Sequence, residues 1–171
     1  MQTSIPTPLP QLQPHTFPYQ IESADLLIRV ALPGEGQIFQ QAVATSAATL
    51  QPWLGWTSPL PTLQESEQNC RRAFARYLLQ EDLMVFFWRK ADGALIGGSG
   101  LHRPDWQLRR FEIGYWGNSA HAGQGLMTQG VRALADYAQQ EMQANRVFLT
   151  ADDNNTRSWQ LAAGRTGRLP A

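Results

Sequence analysis

The chain has one cysteine, Cys70, in 171 residues. That excludes an internal disulfide framework, and a single thiol fits a reducing compartment. There is no surplus of charge of either sign, since Lys plus Arg and Asp plus Glu each number 14. Such a balance points to neither a nucleic acid nor an anionic membrane as partner. No apolar run approaches the length of a membrane span. No basic segment leading into an apolar one stands at the N-terminus, so no secretory signal is expected. His15, His102 and His121 have no metal-ligand spacing, and no metal is expected. These gaps leave a cytoplasmic protein as the expectation. At 171 residues, 43% of them hydrophobic and 16% charged, the chain suits one domain with a sizeable core.

Residues 1–19 hold five of the eleven prolines. Proline fixes φ and removes a donor, so residues 1–20 read as a mobile or loosely docked arm. A first strand is expected over 26–31, closed by Pro33-Gly34. A small-residue helix is expected over 37–48, with Ile38, Val43 and Ala47 apolar. A loop with Trp53 and Trp56 follows. Thr62 and Glu65 have the form of a capping box, and the helix they start runs to about Leu79, burying Phe74, Tyr77 and Leu78. Strands follow over 83–89, 94–101 and 109–116, with Asp92-Gly93 as a hairpin turn. The glycines of 94–101 weaken that strand or mark close backbone approach. Short links make these three strands an antiparallel meander.

The stretch that organises the chain is 111–129. A strand of alternating character runs into a polar loop ending Gly123-Gln124-Gly125, and the glycines open a long helix over 123–142. Leu126, Val131, Leu134 and Ala138 of that helix stand at helical spacing. The first-turn N–H groups of a helix lack intrahelical partners, and the helix dipole places about half a positive charge there. Glycines let an anion approach such a turn closely, so this is a candidate phosphate cradle. Tight strand-to-helix packing is the plainer use of the same glycines. A strand over 146–150 then makes a parallel crossover, and a last helix runs from Asn155 to Leu161. A nicotinamide site fits less well, because GxGxxG is absent.

Gly100-Leu101-His102-Arg103 with Trp106, then 109–116 (RRFEIGYW), then the Gly-x-Gly turn and Asn155-x-x-Ser158, together resemble the GNAT superfamily of N-acetyltransferases. Within it they resemble the branch of ribosomal-protein N-terminal acetyltransferases. The resemblance covers about 25–161 and implies an α/β fold of GNAT type: an antiparallel meander followed by a parallel crossover. It implies acetyl-CoA as co-substrate. Pantetheine would run along Ile113 and Tyr115, and pyrophosphate would lie on the turn of Gly123, Gln124, Gly125, Leu126 and Thr128. Asn155 would bind pantetheine. Ser158 would steady or protonate the leaving thiolate, although both residues also suit helix capping. The implied acceptor is a primary amine, either a small amine or a protein N-terminus such as a ribosomal one. A homodimer is compatible with the resemblance. The family's cradle has Gln or Arg where this chain has Ala122, and Gly or Ala where it has Met127. Residues 162–171 match none of the family's closing strands, so the domain is expected over 21–161, with an atypical tail that reads as truncated or frame-shifted.

An α-amine, with a pKa near 7.7–8.0, is about a tenth free at pH 7, whereas a lysine amine near 10.4 is almost wholly protonated. An α-amine therefore asks less of a base. Glu112 is the candidate base, acting directly or through water. It alternates with Phe111 and Ile113 and so shares a face with Gly114 and Trp116. The other reading of Glu112 is an ion pair with Arg29, Arg109 or Arg110. His102 reads as a loop histidine or as a contact to acceptor. Trp53, Trp56, Trp106 and Trp116 read as core or as the acceptor-site lining. Cys70 reads as a buried, idle thiol. Two further functions stay open: a non-catalytic, shortened chain of this fold, and a CoA-binding module without turnover.

Overall fold

A computed structural model describes residues 16–163. Of the expected tail, 162–171, residues 164–171 lie outside the described residues, as does most of the expected arm, 1–15, while 162–163 continue the last helix. Six strands make one sheet in the order β1 (Gln20–Glu22), β2 (Leu26–Val30), β3 (Leu83–Arg89), β4 (Leu95–Asp105), β5 (Arg110–Gly117) and β6 (Arg146–Phe148). Neighbours are antiparallel as far as β5. β6 lies parallel to β5. The crossover between them is α4 (Leu126–Gln140). The mixed α/β architecture expected from the sequence is the one observed.

The sheet separates two apolar layers. On one face Ile28, Val85, Phe87, Leu101, Phe111 and Ile113 pack against Val131, Leu134 and Ala138 of α4. On the other, Phe86 and Trp116 pack with Phe39 and Val43 of α1 (Gly36–Thr45) and with Cys70 and Ala73 of α3 (Leu63–Leu78). Period-two alternation along β3 and β5 feeds both layers.

Several boundaries differ from the expectation, each for a local reason. The helix expected over 37–48 is split into α1 and a short α2 (Ala47–Leu50). The Ser46 hydroxyl donates back to the Ala42 carbonyl at 2.7 Å and accepts the Ser119 N–H at 2.9 Å. Such back-bonding competes with helix continuation. Phe39 is buried in place of Ile38, which is 37% exposed. On α3 the buried positions Ser66, Cys70 and Ala73 advance by helical steps to the half-buried Phe74 and Tyr77. Leu78 falls one residue past that stripe and is 64% exposed, so its expected burial is corrected. β1 was not anticipated. It is short and polar, as an edge strand tends to be. Just before it, Phe17 is buried between Trp106 and Phe111 and donates its N–H to Gln80. The last residues of the expected arm are therefore docked.

Candidate acetyl-transfer site

β5 and β6 pair only through Arg110/Arg146, Phe111/Val147 and Glu112/Phe148. β6 stops at Phe148, two residues earlier than expected, while β5 continues to Gly117. Beyond Glu112, β5 has β4 on one side and a cleft of about 60 Å³ on the other. Ile113, Tyr115, Thr128, Val131, Val147 and Leu161 are among its lining. Alternate N–H groups along a strand point to opposite sides, so those of 113–116 not used by β4 face the gap.

The cleft meets the N-terminus of α4. The helix begins at Leu126, not at Gly123 as expected, because Gly123 and Gly125 adopt left-handed backbone with φ 78° and 73°. Gly125 occupies the capping position, and no side chain caps the helix. A Cβ added at either glycine would stand in open space, so conformation, not packing, calls for glycine there. First-turn N–H groups up to Thr128 thus end at an open approach, and Gln129 is the first to reach back, to the Gly125 carbonyl at 3.0 Å. The Gln124 side chain accepts from Arg89 at 2.8 Å, leaving its backbone to the turn. An uncapped helix start opening on an apolar slot fits a ligand with phosphate at one end and a slender apolar arm.

The cleft's far wall is α5 (Thr156–Ala163). The Asn155 side chain accepts the Ser158 N–H at 3.2 Å, so it caps this helix. Tyr115 donates its hydroxyl to the Ser158 carbonyl at 2.7 Å, tying the helix across the gap. Burial pushes the Tyr115 phenol upward, so it stays protonated as a donor.

The opposite face of β5 carries Glu112, Gly114 and Trp116, as the alternation requires. Glu112 is 16% exposed and pairs with Arg103 at 3.1 Å. This corrects the expected partners. Arg29 pairs with Glu35, Arg110 with Asp105, and Arg109 bonds Gln143 and Asn145. Arg103 has left-handed backbone, φ 48°, where β4 breaks register between His102 and Asp105. Such an irregularity re-aims a side chain. Trp116 packs on Phe39 and Phe86 in the second core layer, and Trp56 reaches Phe39 at 6.0 Å. Trp53 and Trp56 are exposed. Trp106 does not join them. It packs with Phe17 and Phe111 and donates to the Gln80 carbonyl at 2.9 Å, so it belongs to the α4-side core.

One pair escaped sequence reasoning. His102 stands in β4 directly across from Glu112. Its Nδ1 lies 3.0 and 3.1 Å from the two carboxylate oxygens of Asp82, which is 8% exposed. His102 itself was visible as a candidate. Asp82, twenty residues earlier in the link between α3 and β3, carried no local signal. Cys70 is buried, and burial with the nearby Glu35 and Glu67 pushes its thiol up to about 12. Among the described residues no cluster of potential metal ligands occurs, and no helix is long and apolar enough to cross a membrane.

The profile of the acetyltransferase (GNAT) domain family matches residues 26–164. A Bacillus subtilis (strain 168) protein named "Putative ribosomal N-acetyltransferase YdaF" is 40% identical over 137 residues, covering 78% of this chain and 72% of that protein. The ribosomal-protein-serine acetyltransferase of Escherichia coli (strain K12) is 27% identical over 124 residues, covering 71% and 67%. Among solved structures, the RimL ribosomal L7/L12 alpha-N-protein acetyltransferase in complex with coenzyme A aligns with a TM-score of 0.80 at 20% identity, covering 87% of this chain and 83% of that one. The microcin C7 self-immunity acetyltransferase MccE, in complex with acetyl-CoA and AMP, aligns with a TM-score of 0.77 at 14% identity, covering 87% and 82%.

Proposed function

Because the chain belongs to the acetyltransferase (GNAT) family and is an N-acetyltransferase of that type, we propose that it moves acetyl from acetyl-CoA directly to the α-amine of a protein N-terminus. The observation that carries this reading is the parting of β5 from β6 beside the uncapped start of α4. Uncapped first-turn N–H groups and an apolar slot lie end to end there. In this reading the turn of Gly123, Gln124, Gly125, Leu126 and Thr128 holds the pyrophosphate. Ile113 and Tyr115 flank the pantetheine. Asn155 offers its remaining amide polarity to the same arm, and Ser158 stands beside the leaving sulfur.

The thioester carbon would reach the Glu112 face through the gap. A backbone N–H of 113–116 would meet the oxyanion, whose stabilisation is usually the largest single term in such catalysis. Glu112, held by Arg103, is the carboxylate whose charge draws the proton away from the attacking amine, directly or through an intervening group. A ribosomal N-terminus is favoured by the E. coli relative's name, ribosomal-protein-serine acetyltransferase. A lysine amine would need a stronger base, because far less of it is free at pH 7.

The test pairs acetyl-CoA calorimetry with mass spectrometry of a short peptide bearing a free N-terminal serine. The expected result is acetylation at the α-amine, with none on the same peptide blocked at that end. Glu112→Gln is expected to lower the rate about 10²-fold with acetyl-CoA affinity unchanged. Binding without turnover of any amine would leave a CoA-binding module. A folded chain without binding would remove the cradle reading.

A further inference from the structure

The face of the sheet that carries Glu112 also holds a carboxylate–imidazole pair. Asp82 is nearly buried, and an ionised carboxylate can only accept hydrogen bonds. With His102 Nδ1 3.0 and 3.1 Å from its oxygens, the neutral ring carries its proton on Nδ1. Nε2 then keeps a lone pair. The ring lies across two glycines of adjacent strands. A Cβ at Gly100 would come within 2.4 Å of Cε1 and 2.5 Å of Nε2, and one at Gly114 would stand 3.4 Å from Cδ2 and 3.6 Å from Nε2. Gly114 is on the stretch of β5 that has already left β6. The ring therefore lies over β4 with its Cδ2–Nε2 edge towards Gly114 of β5, and among the described residues Nε2 makes no hydrogen bond.

We propose that Asp82 and His102 form the proton-accepting pair for the acceptor amine. Nε2 of His102 takes the proton first, and Glu112 steadies the imidazolium from across the strand pair. The proposal rests on the acetyl-transfer reading and names the group that receives the proton. The amine lone pair forms the C–N bond to the thioester carbon. The C–S bond breaks, and its electrons leave on sulfur. The amine proton goes to Nε2, and the imidazolium proton then passes to the thiolate or to water. An amide and the CoA thiol result, with no change in oxidation state. The charged groups around His102 are Asp82 from the α3–β3 link, Arg76 from α3 at 3.8 Å from Asp82, Glu112 from β5 and Arg103 on β4 itself.

Three measurements on the full chain test this. Nitrogen NMR of the imidazole should show the neutral ring protonated on Nδ1, a preference lost in Asp82→Asn. Acetylation of the serine peptide by His102→Gln should fall about 10²-fold in kcat, with acetyl-CoA affinity and the thermal midpoint as in the wild type. The acidic limb of the wild-type kcat/KM profile should vanish in His102→Gln and persist in Glu112→Gln. A neutral ring protonated on Nε2 overturns the proposal whatever acceptor is used. So does a folded His102→Gln with wild-type kcat and pH profile, and in that case the acetyl-transfer reading survives. A wild-type chain that binds no acetyl-CoA removes that reading and takes the proposal with it.

Discussion

Cys70 shows how a single residue's chemistry is set by where the fold puts it. It is fully buried on α3, and two carboxylates near it add to the cost of a thiolate. A thiol pushed up to about 12 is protonated throughout the range in which alkylating reagents act on ordinary cysteines. The native protein is therefore expected to resist iodoacetamide at pH 8 and to react fully once unfolded in guanidinium. Modification at equal rates in both states would mean that α3 does not cover the thiol. His102 is the opposite case, a ring left partly exposed, with one nitrogen committed to Asp82.

At the scale of elements, the sequence was most informative where the interactions are local. The capping box at the start of α3 is present in full: the Glu65 N–H donates to the Thr62 hydroxyl at 3.1 Å, and the Thr62 N–H to the Glu65 carboxylate at 2.8 Å. Replacing the cap by alanine should cost about 1 kcal/mol, read as a lower denaturant midpoint at unchanged slope. The Asp-Gly turn between β3 and β4 is held by Arg89 on Asp92 at 2.7 Å, which lowers the Asp92 carboxyl to about 2. Its folded-state value is depressed, so its contribution is complete above the ordinary aspartate range and is lost as pH falls towards 2. The glycines of β4 mark close approach: a Cβ at Gly98 would come within 2.4 Å of the Trp116 indole nitrogen. Local signals failed where a distant partner intervened. Ser46 broke the expected helix by bonding to both Ala42 and Ser119, which lies 73 residues on.

The whole molecule joins an uncapped helix start to a gap in its own sheet. Acetyl-CoA binding only the folded chain should therefore raise the thermal midpoint, by the equivalent of about 2.7 kcal/mol at a hundredfold excess over Kd. Scanning calorimetry at two ligand concentrations checks this, and a midpoint indifferent to acetyl-CoA would separate the fold from its expected ligand.

The chain's own sequence determined its architecture, its glycine cradle and the face on which Glu112 sits. Each follows from alternation, helical spacing or turn chemistry within a few residues. Only the tertiary structure decided that β6 ends at Phe148 and opens the cleft, that Arg103 is the partner of Glu112, and that Asp82 holds His102. Those pairings join residues brought together by the sheet, and no local period encodes which side chain meets which across it.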